Sequence, residues 1–340
     1  MATFGILSFL KRHPVLCLLL LSPGIPEYIS SSSPLNAIVL SPWLFVFQLV
    51  ANLGLYGPGV LLIREAKVRW KVGWGPVLLL GAAYGILEEG VALSTLFNPA
   101  AGPVGSLGTY GHWLGVSWIW LAAIVPVHMI YSISVPILLL GLALPETSGR
   151  PFLQGRKLTG AVAILSVDVL ILLLFVSRAG GFWMGTPVLA GSLLAIAALS
   201  LAARGPRAHR LHARSEFPRA SAKVMAVIGI AFYPVVLLTA FVAEGTGVPA
   251  LLDFLFVVGV QAAFLAYVLK VGGSEGNGRN LVAFCFGLVI PFAVIGVIAE
   301  APLPVTLLAD AVMVGFFMKL LRVTGDRDRL AAHWVPPPPP

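Results

Sequence analysis

Tyr84-Gly85-Ile86-Leu87-Glu88-Glu89-Gly90-Val91-Ala92 decides the fold. Two adjacent carboxylates lie inside an apolar run from about Pro76 to Phe97. A helix of ~20 residues rising 1.5 Å each crosses a ~30 Å hydrocarbon core, so the run is long enough to span a bilayer. An acidic residue at the centre of such a helix costs roughly 2.5–3.5 kcal/mol on insertion scales. The neighbouring helices must therefore supply polar groups or water. Adjacent helix residues point about 100° apart, so Glu88 and Glu89 are expected to face two sides of a helix near the middle of a bundle. Gly81, Gly85 and Ala92 share the Glu88 stripe, and Ala82 and Gly85 share the Glu89 stripe. Small residues at these spacings let neighbouring backbones approach.

Composition sets the class. The 340 residues are 58% hydrophobic and 11% charged, against about 25% charged in soluble domains. The net charge of +8 lies between apolar runs rather than on one face, which argues against nucleic acid and for topogenic loop charge. The expected partners are the lipid bilayer and, at the basic loops, anionic headgroups. Cys17 and Cys285 both sit in apolar segments and read as small hydrophobes.

Outward from the Glu pair, the chain divides into about ten apolar spans, or nine if the first is cleaved or re-entrant. Lys11-Arg12-His13 precede a short run from Pro14 that ends near Ile29, interrupted by Pro23 and Pro26. It resembles a signal segment but lacks a clear cleavage site, so a retained, short or broken span is expected. Leu35–Ile63 holds the second span, with a break near Ser41-Pro42, and Gln48 and Asn52 inside it. The Glu-pair helix is third. Trp118–Leu142 is fourth and carries His128, Tyr131, Ser132, Pro126 and Pro136. Leu158–Val176, with Asp168, is fifth. Pro187–Ala203, Val224–Val242, Pro249–Leu269, Leu281–Ile298 and Pro302–Leu320 follow, with Asp253, Gln261 and Asp310 inside the later ones. With the N-terminus in the cytoplasm, every Lys and Arg except Arg178 falls on the cytoplasmic side, as the positive-inside rule requires. The expected architecture is an all-α polytopic transmembrane bundle with both termini cytoplasmic. It forms one membrane domain over residues 1–325, with a polar-centre half 1–177 and an apolar half 178–325. A short Pro-rich tail, 326–340, follows.

Depth brings two of the candidate residues together. Glu88 lies about twelve residues into a span that starts inside, roughly 18 Å up at 1.5 Å per residue. His128 lies about ten residues into a span that starts outside, roughly 15 Å down. Consecutive spans usually neighbour each other, so a carboxylate–imidazole contact is expected. Tyr131 and Ser132 follow His128 at i+3 and i+4, and Pro136 leaves the Ser132 carbonyl without its helical donor. Glu88, Glu89 and His128 are the candidate catalytic residues. Tyr84, Tyr131, Ser132, Gln48, Asn52 and Asp168 are the candidate substrate-binding or supporting residues. Such a set can activate water or hold a divalent metal. A metal would need the Glu helix to distort, which Gly85 and Gly90 permit. The same residues also admit a purely structural hydrogen-bonded cluster.

Two adjacent glutamates in one span and a histidine in a later one resemble the CPBP family of intramembrane proteases, which includes the CAAX-processing enzymes. Leu93 stands where that family's Glu-Glu-x-x-x-Arg motif has Arg, and Ile124 where its Phe-x-x-x-His motif has Phe. The family's further histidine in a later span has no counterpart. The resemblance implies that Glu88 or Glu89 activates water and that His128 supports an oxyanion or a metal. A likeness to polytopic proteins of prokaryotes implies a prokaryotic cytoplasmic membrane.

Two other functions use the same residues. Glu88, Glu89, His128, Asp168 and Asp310 could relay protons or bind a cation near the midplane of a coupled transporter, with Gln48 and Asn52 along the path. A scaffold without chemistry is the third class. Among smaller signals, Glu27 on the outer side reads as a helix cap or, second, a substrate contact, and His112 with Trp113, Trp118 and Trp120 as an interfacial belt. The glycine-spaced loop from Asn98 to Gly115 reads as a flexible surface loop, Arg64-Glu65 as a local pair or a snorkelling Arg, and His209 and His212 as headgroup contacts.

Overall fold

A computed structural model describes residues 3–205, 220–272, 277–300 and 304–333. Arg207, His209, Arg210, His212, Arg214, Arg219 and the Pro336–Pro340 run lie outside the described residues. Apart from a two-residue hairpin, His112–Trp113 against Val116–Ser117, the regular structure among the described residues is helical, an all-α polytopic bundle. Nine of these helices are long and apolar enough to cross a membrane. A shorter apolar segment, Pro14–Ile29, adds to them.

The helices in order are α1 (Thr3–Arg12), α2 (Pro14–Pro23), α3 (Ala37–Leu40), α4 (Pro42–Trp70), α5 (Trp74–Gly85), α6 (Trp118–Val127) and α7 (Val135–Ala143). Then come α8 (Arg156–Gly180), α9 (Thr186–Arg204), α10 (Ala222–Thr246), α11 (Ala250–Gly272), α12 (Gly278–Glu300) and α13 (Pro304–His333). The break expected in the second span falls at Ser41, whose φ of −153° ends α3 before Pro42 restarts the helix as α4. Proline at the first helical position needs no N–H partner, which makes Pro42 a natural restart.

Three stretches wind as π-helix: Gly24–Ile29 after α2, Ile86–Ala92 after α5, and His128–Ser134 between α6 and α7. Each has a local cause. Pro26 lacks a donor inside the first. Gly85 and Gly90 flank the core of the second. Pro136 withholds an N–H just after the third. The Ser132 carbonyl left over by Pro136 is taken by Ser22 Oγ of α2 at 2.6 Å. The short first segment is therefore wedged into the bundle, with Leu18 and Ser22 fully buried.

Close helix contacts rest on glycine. A Cβ on Gly229 of α10 would run into the Phe284 carbonyl, and one on Gly287 of α12 into the Ala226 carbonyl. These reciprocal gaps let α10 and α12 lie backbone to backbone. At the other end of α12 the Glu300 carboxylate collects Leu35 N–H (2.9 Å), Asn36 N–H (2.9 Å), Ser31 Oγ (2.5 Å) and Thr306 Oγ1 (2.7 Å). One buried acid thus ties α12 and α13 to the turn before α3. One continuous hydrophobic core runs from Leu10 to Leu320 across both halves of the chain. Cys17 and Cys285 are free and buried in it. Large apolar side chains on α8, α9, α11 and α13 point outward, as lipid-facing surfaces do.

The local Arg64–Glu65 pair forms as expected, and two other local expectations change. Arg64 does not snorkel. It is buried, 3.2 Å from Glu65, and donates to the carbonyls of Thr147 (2.6 Å) and Arg150 (2.9 Å). The loop after Asn98 is folded rather than a flexible surface loop, because Val104 and Leu107 are buried, Leu107 packing against Ile119 and Ala240. The last helix passes residue 325 and reaches His333, since Asp328 accepts the Gly278 and Arg279 N–H groups at the start of α12 (3.3 and 2.9 Å).

Replacing Gly287 by Leu should force α10 and α12 apart. Overpacking of this kind costs about 1–3 kcal/mol. The expected outcome is a lower melting temperature of the detergent-solubilised protein than for Gly315→Leu, a position with open space around it.

Candidate functional site

The Glu pair and His128 each lie on a π-helical turn, and glycine lets the two turns touch. A Cβ on Gly85 would stand 3.0 Å from the Val125 carbonyl and 3.3 Å from His128 Cβ, and one on Gly81 would stand 3.0 Å from Met129 Cα. The π turn also corrects the expected divergence of the two carboxylates. Its i→i+5 bond, Leu93 N–H to the Glu88 carbonyl at 2.9 Å, widens the turn, so adjacent side chains diverge by less than the ~100° of an α-helix. Both carboxylates reach one imidazole.

His128 Nε2 lies 2.8 Å from Glu89 Oε1, and His128 Nδ1 lies 2.9 Å from Glu88 Oε2. All three residues are buried, with exposures of 1% for Glu88, 6% for Glu89 and 3% for His128. The two acids are not equivalent. Glu89 Oε1 is hydrogen-bonded to the imidazole, and Glu89 Oε2 accepts from Thr95 Oγ1. Trp120 Nε1 in turn donates to Thr95 Oγ1 at 3.2 Å. Glu89 is therefore anchored and fixes the ring. Glu88 approaches Nδ1 off the hydrogen-bonding direction, and its Oε2 is a buried oxygen without a hydrogen-bond partner. Nδ1 has Ser132 Oγ at 3.2 Å as its alternative. Chemically, the geometry is that of an oriented imidazole with a spare base beside it.

Two tyrosines flank the ring. The Tyr56 and Tyr84 ring centroids lie 6.0 and 6.5 Å from that of His128. Tyr84 packs over Gly59 of α4. The Tyr56 hydroxyl donates to Glu27 Oε1 at 2.6 Å, Ser33 Oγ donates to Glu27 Oε2 at 2.8 Å, and Asn52 Nδ2 donates to Ser33 Oγ at 3.0 Å. Tyr56 thereby links Glu27 to the His128 ring. Glu27 thus belongs to the polar centre as a third carboxylate rather than serving as a surface cap. The signal for it was in the sequence: an acid in a short apolar segment interrupted by proline, the pattern that marks binding sites in discontinuous membrane helices.

The remaining candidates divide. Ser132 supports the ring, and Tyr84 lines it. Asn52 supports Glu27 rather than the Glu pair. Tyr131 is fully buried but turns away, its ring 4.5 Å from Phe292 and 6.2 Å from Tyr233. Asp168 packs against Gly54 of α4. Gln48 is partly exposed and its Oε1 lacks a partner. Asp310 is likewise partly buried.

A divalent metal does not fit this arrangement. The imidazole occupies the space between the carboxylates that a shared ion would need, and its two nitrogens face opposite acids. Among the described residues, no group of three His, Cys, Asp or Glu side chains is placed to hold a metal. Set against family models, curated proteins and solved structures, the chain matches none.

Removing one partner of a buried ionic set leaves uncompensated charge, at about 3–5 kcal/mol. His128→Ala should therefore lower unfolding stability in detergent by that order. Adding Glu88→Gln and Glu89→Gln to His128→Ala should restore part of it, whereas independent sites would give additive losses.

Proposed function

We propose that this membrane protein is an intramembrane hydrolase, with His128 and the Glu pair as its acid–base centre. The observation that carries this reading is the buried imidazole with a carboxylate oxygen within 2.9 Å of each ring nitrogen. Division of labour follows from the hydrogen bonds. Glu89 orients and polarises His128, as the third member of a nucleophile–base–orienter set does. Glu88, whose Oε2 lies 2.9 Å from Nδ1 but off the hydrogen-bonding direction, is the base. A water beside Glu88 gives a proton to that carboxylate and its oxygen to the substrate carbonyl carbon. His128, protonated, gives a proton to the leaving group as the bond to carbon breaks. An apolar surrounding strengthens each of these charge interactions. The resemblance of the Glu pair and His128 to the CPBP proteases favours an amide in a membrane-embedded segment as the substrate. Close packing around the three residues makes water entry a gated step. The cover hydrogen-bonded to Glu89 is the Thr95–Trp120 pair.

A second reading has an observation of its own. The Tyr56–Glu27–Ser33–Asn52 chain of hydrogen bonds runs from beside His128 into the serine-rich turn after Ile29. Such a chain suits a proton path in a coupled transporter.

The test uses the purified full chain in proteoliposomes with fluorogenic membrane-spanning peptides. Wild type should cleave at least one of them, and Glu88→Gln, assayed at a temperature where it stays folded, should lose about 10²–10⁴-fold in kcat, the usual contribution of a positioned base. Proton uptake that is lost in both Glu88→Gln and Tyr56→Phe, without cleavage by wild type, would replace the hydrolase by the transporter. Neither activity in wild type would leave the cluster a structural one.

A further inference from the structure

A second built site lies at the opposite level of the bundle, on the end that carries the basic residues. A cavity of about 280 Å³ opens there. Its walls come from five segments that converge at that end: Arg64 and Lys67 late in α4, Trp74 at the start of α5, Leu142 at the end of α7, Ser148 in the loop that follows, and Leu281 at the start of α12.

Arg64 is fixed and buried, at 3% exposure. Its guanidinium stacks 3.3 Å above the Phe152 ring and is held by Glu65 and the two loop carbonyls. Lys67 is different. Its Nζ lies 5.3 Å from the Trp74 ring centroid, and no carboxylate among the described residues is within ion-pair distance of it. Glu65 is engaged by Arg64 and Arg69 and by the Phe152 N–H, and Glu146, next to the lining Thr147 and Ser148, is paired with Lys11 at 3.9 Å. The cavity therefore has one wall of surplus positive charge and hydroxyl, and another of Leu142 and Leu281. At ~30 Å³ per water-sized group, it accommodates roughly nine such groups, enough for a phosphoglycerol headgroup but not a whole lipid.

We infer that this cavity binds the phosphate headgroup of an anionic membrane lipid, with Lys67 as its charge partner. Basic pockets between transmembrane helices on the cytoplasmic side are suited to anionic headgroups. The apolar wall receives the first carbons of the acyl chains, which a free phosphate does not have. A compact ammonium on a flexible stem binds a phosphate as a point charge, and the Trp74 ring holds that stem at the membrane boundary.

The experiment compares melting temperatures of the detergent-purified full chain with added phosphatidylglycerol, phosphatidylcholine or inorganic phosphate, together with lipid titrations followed by native mass spectrometry. Phosphatidylglycerol should raise the melting temperature and the other two should not. Lys67→Met keeps the stem over Trp74 and removes the charge. It should weaken phosphatidylglycerol binding about fivefold to tenfold, the worth of one basic side chain near a membrane surface, and Lys67→Arg should restore most of it. Lys157→Met, in the first turn of α8, should change nothing. Equal effects of the two lipids, or unchanged binding in Lys67→Met, would overturn the inference. A full shift with inorganic phosphate alone would overturn the lipid assignment as well.

Discussion

The centre of this bundle depends on an imidazole wedged between two carboxylates in an apolar surrounding. Each acid alone would be expelled from the hydrocarbon or neutralised there. Together with His128 they form a set in which ionised groups are compensated within hydrogen-bonding distance, 2.8 and 2.9 Å. Everything near it serves that proximity. Gly81 and Gly85 admit the backbone of the histidine helix, the π turns aim the side chains, and Thr95 and Trp120 close the outer side.

The three π-helical turns carry the groups of this polar centre, Glu27, the Glu pair and His128. A π turn leaves backbone groups unevenly paired and is rarely tolerated without local cause. Here proline and glycine supply that cause. The loose carbonyl at Ser132 is satisfied by a serine from a helix more than a hundred residues away. Irregular backbone at membrane depth occurs where protein covers it, and α2 is that cover.

The spans were legible because hydropathy and loop charge are summed over many residues. Breaks such as Ser41-Pro42 and the meeting of Glu88 with His128 followed from proline chemistry and depth alone. What single residues do was less legible. An ideal helix sends Glu88 and Glu89 apart, so only the observed winding at Ile86–Ala92 shows both on one ring. Tyr131 shares a stripe with His128 on an α-helix, yet the π turn at His128–Ser134 rotates it towards Phe292. Arg64 looked like a boundary charge because nothing in its neighbourhood announces that the carbonyls of Thr147 and Arg150 fold back over it. Glu27 follows Pro26 and so reads as a cap, and only the structure shows the Tyr56 hydroxyl reaching it from α4.

The burial of that first segment also bears on how the chain is assembled. Ser22 waits for the carbonyl of Ser132, and the Ile29 carbonyl rests against Gly296 of α12. At ~5–20 residues per second of synthesis, the partner at Gly296 leaves the ribosome on the order of tens of seconds after Ile29 does. During that interval Glu27 has neither its final cover nor a closed bundle to shelter it. The segment that carries Glu27 is therefore made well before the α12 backbone that packs against it.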